Sequence, residues 1–428
     1  MKGKFLLSFA FLSALAGCAK APEPQSTAPA APALVSGVEM QYIDDSVRAQ
    51  DDFYKHVNGK WLAATEIPAD KGSYDSFDQL YDSSQVQLKS IVEGLLKSVD
   101  SSDPDQQKIA DLYASFMDEA RLETLGLHPL DAEFAKIDAI KSPKEIPALI
   151  AHLVQIGAAT PYAPAVHLDN KDPTRYVFDL QQSGLSMPDR DYYLLNDDKM
   201  KQARTAYGKH VEKMLTLAGD KNAAAEAAAI LALETKLAKI QWTRVETRDP
   251  IKGYNKVEIA KLGNLAPGYD WQAYLSGAGV AAKTDYVIVG QPSYLTAFAK
   301  LAQQTPLPTW KSYFRWQVLS GSAPYLSKAF VDEQFAFSGT VLQGIPENQA
   351  RWKRGLNLLE GTIGEGLGKL YVKQYFPPDA KERADALIKN LLAAYKADID
   401  TLDWMSPETK QKAQAKLAKF KPKIGYPV

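Results

Sequence analysis

Helix-opening phrases recur along this chain, and behind each one apolar residues return every three or four positions. "DPDQ" (103–106), "SPKE" (142–145) and "SPET" (406–409) each set a capping side chain before a proline. Proline suits a first helical position, because the N–H it lacks would be unpaired there anyway. In "FDQLYDSSQVQLKSIVEGLLKSV" (77–99), Leu80, Val86, Leu88, Ile91, Leu95 and Val99 fall mostly on one helical face. "KNAAAEAAAILALETKLAKIQW" (221–242) is alanine-rich, with high helix propensity. After "SPET", Ala413, Leu417, Phe420 and Ile424 predict an apolar face that needs a partner, and Gly425 and Pro427 are stop signals. Strand signals are few. "APAVHLD" and "RYVFDLQQ" flank the polar "NKDPT" and predict a hairpin, and residues 286–289 read as a short buried strand. The expected fold is therefore mainly α, a large multi-helix domain with a β-hairpin or small sheet.

The first residues predict an address. Lys2 and Lys4 precede an apolar run over 5–15 that is too short to span a membrane but suits a secretory signal. "LAGC" then ends at Cys18 and resembles the bacterial lipoprotein cleavage box, in which the cysteine becomes the lipidated first residue. The expected layout is a signal peptide over 1–17, a Pro/Ala-rich tether over 18–40 and a folded region over 41–428, lipid-anchored and facing the periplasm. Cys18 is the only cysteine, so the folded region has no thiol for a disulfide, a thiolate-bound metal or a nucleophile.

Fifty basic residues against 51 acidic ones leave no net field to draw nucleic acid, which excludes it as an expected partner. The glycine cluster "GTIGEGLGKLY" is not a phosphate loop: Ile363 stands where the first glycine belongs and Leu370 where the hydroxyl belongs. Gly361, Gly364 and Gly368 instead read as a flat face for close helix packing. The five histidines, at 56, 128, 152, 167 and 210, include no pair three to five residues apart, so no H-E-x-x-H helix exists. His210-Val211-Glu212 has deaminase-like spacing without the cysteine pair that would complete it. Ser186 and Ser322 lack the glycines of a nucleophile elbow. By its residues alone, the chain is an exported helical protein without recognisable catalytic machinery.

Five ordered phrases resemble the neprilysin and endothelin-converting-enzyme family of zinc metallopeptidases. They are "DDFYKHVNGKWLAATEIPADKGSYDSFDQL" (51–80), "LSMPDRDYYL" (185–194), "RDPIKGYNKVEIAKL" (248–262), "RWKRGLNLLEGTIGEGLGKLYVKQYF" (351–376) and "LDWMSPETKQKAQAKLAKFKPKIGYP" (402–427). The resemblance implies the helical, N-terminal region that caps the active site and limits entry to small peptides. In that family the thermolysin-like zinc domain follows the Ile-Gly-Tyr-Pro phrase, so the zinc expected of the complete enzyme has no ligands in this chain. The chain alone is expected to be inactive as a peptidase. A non-catalytic peptide-binding lipoprotein and a degenerate gene fragment are the alternatives.

The resemblance also implies site positions. Neprilysin holds a substrate's terminal carboxylate with arginines near the opening signature, and here Ser73 and Tyr81 fall at those places. A neutral hydroxyl lacks the charged, two-pronged donor geometry of guanidinium, which argues against a carboxy-dipeptidase preference. Residues 40–80 belong with the catalytic domain in the family, so Phe53, Tyr54, Val57, Trp61, Leu62 and Ile67 are expected to lack part of their burial.

Overall fold

The computed structural model describes residues 37–100 and 102–427. Cys18, the signal peptide and nearly all of the tether lie outside the described residues. The chain divides into two units, Met1–Glu66 and Ile67–Val428.

In the first unit, helix α1 (Phe53–Ala64) opens on Asp52, whose carboxylate accepts from the Lys55 N–H at 2.9 Å. It buries no residue, and Phe53 is 68% exposed. Gly59 lets the preceding turn approach, since a Cβ there would sit 2.6 Å from the Asp44 Cβ.

The second unit carries the remaining principal helices. They are α2 (Ser76–Leu95), α3 (Pro104–Met117), α4 (Ile146–Gln155), α5 (Asp198–Leu217), α6 (Ala223–Ile240), α7 (Pro292–Gln304), α8 (Leu307–Ser322), α9 (Lys328–Phe335), α10 (Arg351–Tyr375), α11 (Pro378–Thr401) and α12 (Pro407–Leu417). The opening chemistry behaves as two of the three phrases predict, while Ser142 precedes a short 3-10 turn and its side chain makes no cap hydrogen bond. Asp75 and Asp78 form a reciprocal capping box, and Asp103 and Ser406 accept from the first turns of α3 and α12.

Strands β1 (Tyr162–Leu168) and β2 (Tyr176–Gln182) make the expected antiparallel hairpin. The sheet is larger than a hairpin. β3 (Lys256–Glu258) pairs antiparallel with β4 (Tyr286–Val289), and β4 pairs parallel with β2, giving the order β1-β2-β4-β3. One face of β2 and β4 enters an aromatic core with α4, α7 and α8, where Tyr162, Phe298, Trp310 and Phe314 are fully buried. A second core joins α5, α6, α8 and α9 around Tyr207 and Trp316. A third packs Leu88, Ile91 and Val92 of α2 against Ile109 and Tyr113 of α3 and Leu356, Leu359 and Leu367 of α10.

Three sequence expectations need correction. The face read on α2 is only partly a core face, since Leu88 and Ile91 are buried but Leu80 and Val86 are exposed. α12 ends at Leu417, so Phe420 and Ile424 lie beyond it, and α12 buries no residue. The supposed flat glycine face of α10 packs against nothing. A Cβ at Gly361, Gly364 or Gly368 would meet no atom within 4 Å. The close approach is at Gly355, where a Cβ would stand 2.8 Å from the Tyr113 ring.

Candidate functional site

The N-terminal half of α2, the loop before it and α10 assemble a polar cleft wall. Asp78 and Asp82 lie one turn apart on α2, on the same face. Both engage the Lys71 ammonium, at 3.3 and 2.9 Å, while the Tyr74 and Tyr81 rings lie within 5.1 and 5.8 Å of it. Burial disfavours the charge on Lys71, but the hydrogen bonds it donates to the Asp82 and Asp78 carboxylates outweigh this and raise its pKa. The cation is thus already neutralised by its own neighbours.

Tyr81 stands beside it and donates to the Asn357 Oδ1 at 2.8 Å. Burial, and then the charge of Glu360, raise the pKa of this phenol, so it stays a neutral hydrogen-bonding group. Gln85 reaches Glu360 at 3.4 Å, and Lys353 pairs with Asp70 at 2.6 Å, fastening the loop to α10. Phe77, on the same half of α2, is 81% exposed. Of the two positions singled out from sequence, Tyr81 therefore lies in this wall, whereas Ser73 is an exposed loop residue that none of these contacts includes. Sequence reading missed Lys71, Asn357 and Glu360. Only Lys71 had a signal, in the pair of aspartates one turn apart that follows it.

About one turn along α2 from Tyr81, Ser84 begins the lining of a cavity of about 980 Å³, with Leu88 of α2, residues 364–369, Tyr371 and Val372 of α10, and Tyr426. The bare glycines of α10 form part of its lining. Tyr81, Asn357, Gln85 and Glu360 donate and accept hydrogen bonds along the wall. Its described groups include no metal-activated or thiol nucleophile.

Two of the quoted phrases prove to brace the fold. In "LSMPDRDYYL", the Tyr193 hydroxyl accepts from the Ser186 and Met187 N–H groups and donates to Glu234 of α6 at 2.7 Å. Ser186 donates to the same carboxyl at 2.6 Å, and Gln317 at 3.2 Å. Glu234 is fully buried, and desolvation pushes its pKa up to about 7 against the pull of these donors. In "GYNK", Tyr254 joins Tyr286 in donating to Asp169 at the end of the hairpin, at 2.8 and 2.6 Å. The Tyr286 hydrogen bond is the largest influence holding Asp169 down at about 2.

A zinc site needs three or more convergent N, O or S ligands. The histidines do not converge. His128, His152, His167 and His210 each face a carboxylate, from Asp131, Glu133, Asp179 and Glu333, at 2.7, 2.5, 2.9 and 3.0 Å. His56 faces the Val47 carbonyl at 2.8 Å. Among the described residues no group of three or more His, Cys, Asp or Glu is placed to hold a metal ion. The described residues do not fit zinc. Among the described residues, no helix is long and apolar enough to cross a membrane.

The N-terminal profile of peptidase family M13 matches residues 49–427. An endothelin-converting enzyme homolog of Locusta migratoria is 27% identical over 411 residues, covering 91% of this chain and 56% of the relative. Endothelin-converting enzyme 1 of Cavia porcellus is 29% identical over 395 residues, covering 88% and 51%. The chain thus spans about half the length of these relatives. Among solved structures, the zinc metalloprotease ZMP1 of Mycobacterium tuberculosis in complex with inhibitor superposes with a TM-score of 0.85 at 39% identity, covering 92% of this chain and 60% of that one. The same protein in its open state gives 0.76 at 40% identity, and in a partial open state 0.72 at 40% identity, each covering 89% of this chain and 59% of that one.

Proposed function

The chain belongs to peptidase family M13, and on that premise we propose that it is the N-terminal, substrate-restricting region of a zinc metalloendopeptidase acting on small peptides. The observation that carries this reading is the cleft wall of α2 and α10. It sets the Tyr81–Asn357 hydrogen bond and the exposed Phe77 on α2 one to two turns from a cavity lined by Ser84, Leu88 and the glycines of α10, groups suited to positioning a peptide rather than cutting it. The zinc ligands would come from outside these 428 residues.

Ser73 and Tyr81 are the proposed cleft positions that set preference. With Lys71 already engaged by Asp78 and Asp82, its ammonium is not free to clamp a terminal carboxylate. That supports cleavage within peptides rather than removal of C-terminal dipeptides. Three well-packed cores speak against a degenerate product. Attachment to the bacterial envelope through Cys18, facing the periplasm, completes the reading.

The three ZMP1 structures match this chain unequally, so the region they share with it takes more than one shape in that protein. Open and closed states are proposed for this chain as well.

The test is complementation. The purified chain is mixed with a separately expressed zinc-bearing half of ZMP1 and given a short internally quenched peptide. Chelator-sensitive cleavage in the mixture, exceeding that of the zinc-bearing half alone, supports the assignment. A mixture no more active or selective than that half alone contradicts it.

A further inference from the structure

α10 is regular on either side of one residue. Ile363 has φ −130° and ψ 32°, outside helical geometry, in the middle of Arg351–Tyr375. The preceding Thr362 donates its hydroxyl to the Leu358 carbonyl at 2.7 Å, a back-bond that bends helices. Glycines stand at 361, 364, 366 and 368. Each lowers the helix equilibrium about fivefold relative to alanine. At 361, 364 and 368 no neighbour lies where a Cβ would go, so packing does not require glycine there. Cavities of about 600 and 980 Å³ border the bend and share Asp105, Glu360 and Gly364, leaving room on its flank.

The two halves of α10 are held unequally. Before the bend, Lys353 pairs with Asp70, Gly355 meets Tyr113, Asn357 accepts from Tyr81, and Leu356 and Leu359 are fully buried. After it, the main anchors are buried Leu367 and the Tyr371 hydroxyl on Gln87 at 2.7 Å. Beyond lies an arm that holds itself together. Phe376 meets Tyr426 edge-on, Lys381 donates to the Ile424 carbonyl at 2.9 Å, and Gln414 of α12 donates to the Lys396 carbonyl of α11 at 2.7 Å. Neither α11 nor α12 buries a residue.

We infer that Ile363 is a hinge about which the second half of α10, with α11 and α12, swings relative to α2 and α3. The inference rests on the open and closed states proposed above and locates their bend. The glycines keep that bend soft.

The experiment measures distance across the bend in the full chain. Spin labels are placed at Gln107→Cys on α3 and Lys389→Cys on α11, in a Cys18→Ser background. The unsubstituted hinge gives two distance populations or one broad one. Amides over 362–367 exchange at least about tenfold faster than those over 354–359. Gly361→Ala with Gly364→Ala meets no steric obstacle and acts through the backbone alone. It reduces the minor population at least about tenfold and slows exchange over 362–367. A single narrow distance in the unsubstituted hinge overturns the inference, as does a distribution unchanged in a variant that melts no lower. If that variant fails to fold, the distances and exchange of the unsubstituted hinge decide alone. Complementation of peptidase activity does not enter this readout, so failure of the hinge and failure of the functional assignment are separable.

Discussion

The Tyr193 phenol and the Glu234 carboxyl, 41 residues apart, share a 2.7 Å hydrogen bond where the first two cores meet. Leu233 and Leu237 of α6 enter one core, and Ile230 and Ala238 enter the other, with Glu234 between them. A carboxyl at such a junction must be satisfied, and Tyr193, Ser186 and Gln317 satisfy it.

That junction makes stability depend on pH. The folded pKa of Glu234, about 7, lies above its ordinary 4.5. Its contribution is therefore fully present below pH 4.5 and is lost as pH rises through 7, by about 3 kcal/mol in all. His210 works in the opposite sense: burial lowers its pKa, so its contribution is present above the ordinary 6.5 and lost as pH falls. Glu234→Gln isolates the first effect. Denaturant titrations between pH 5 and 8 are expected to show the variant gaining on the parent as pH rises. Parallel curves would show that Glu234 does not titrate in this range.

Glycine has opposite meanings along α10. Gly355→Ala drives a Cβ into the Tyr113 and Phe116 rings and is expected to cost about 1–3 kcal/mol. Gly368→Ala enters open space and is expected to stabilise by about 0.5–1 kcal/mol. Thermal unfolding of the two variants checks both signs at once.

Charge at the cleft wall sets the proposed peptide preference. Ser73→Arg with Tyr81→Arg supplies the missing guanidinium groups. In the complemented enzyme it is expected to shift kcat/KM toward peptides with a free C-terminal carboxylate over their amides by about tenfold or more. An unchanged ratio would remove these positions from the specificity account.

The proposed anchoring rests on one side chain, Cys18. Cys18→Ser is expected to move the protein from the membrane fraction to the soluble one when cells are fractionated. Persistence in the membrane fraction would end the lipoprotein reading.

Helix positions were largely legible, because caps and stops are local: Asp103 and Ser406 cap the helices they announce, whereas Ser142 stands before a 3-10 turn that leads into α4. What covers a helix face is not local. The apolar residues of α2 read as mostly one face, yet Leu80 and Val86 are exposed while Leu88 packs with α10. β3 was missed because three residues carry too little alternation, and its partner β4 lies about thirty positions away. The glycine spacing of α10 was read as packing, whereas only a neighbouring atom distinguishes packing from open space. In the cleft, Tyr81 and Asn357 are 276 positions apart, and no local pattern joins them.

We propose a polypeptide that shapes a peptide chamber and takes its water-activating centre from outside its described residues. Equilibrium dialysis of the purified chain against zinc, followed by elemental analysis and a short-peptide assay in the same sample, addresses this directly. The expected result is sub-stoichiometric, weakly held zinc and no chelator-sensitive hydrolysis. Stoichiometric zinc retained by this chain, with hydrolysis that a chelator abolishes, would contradict it.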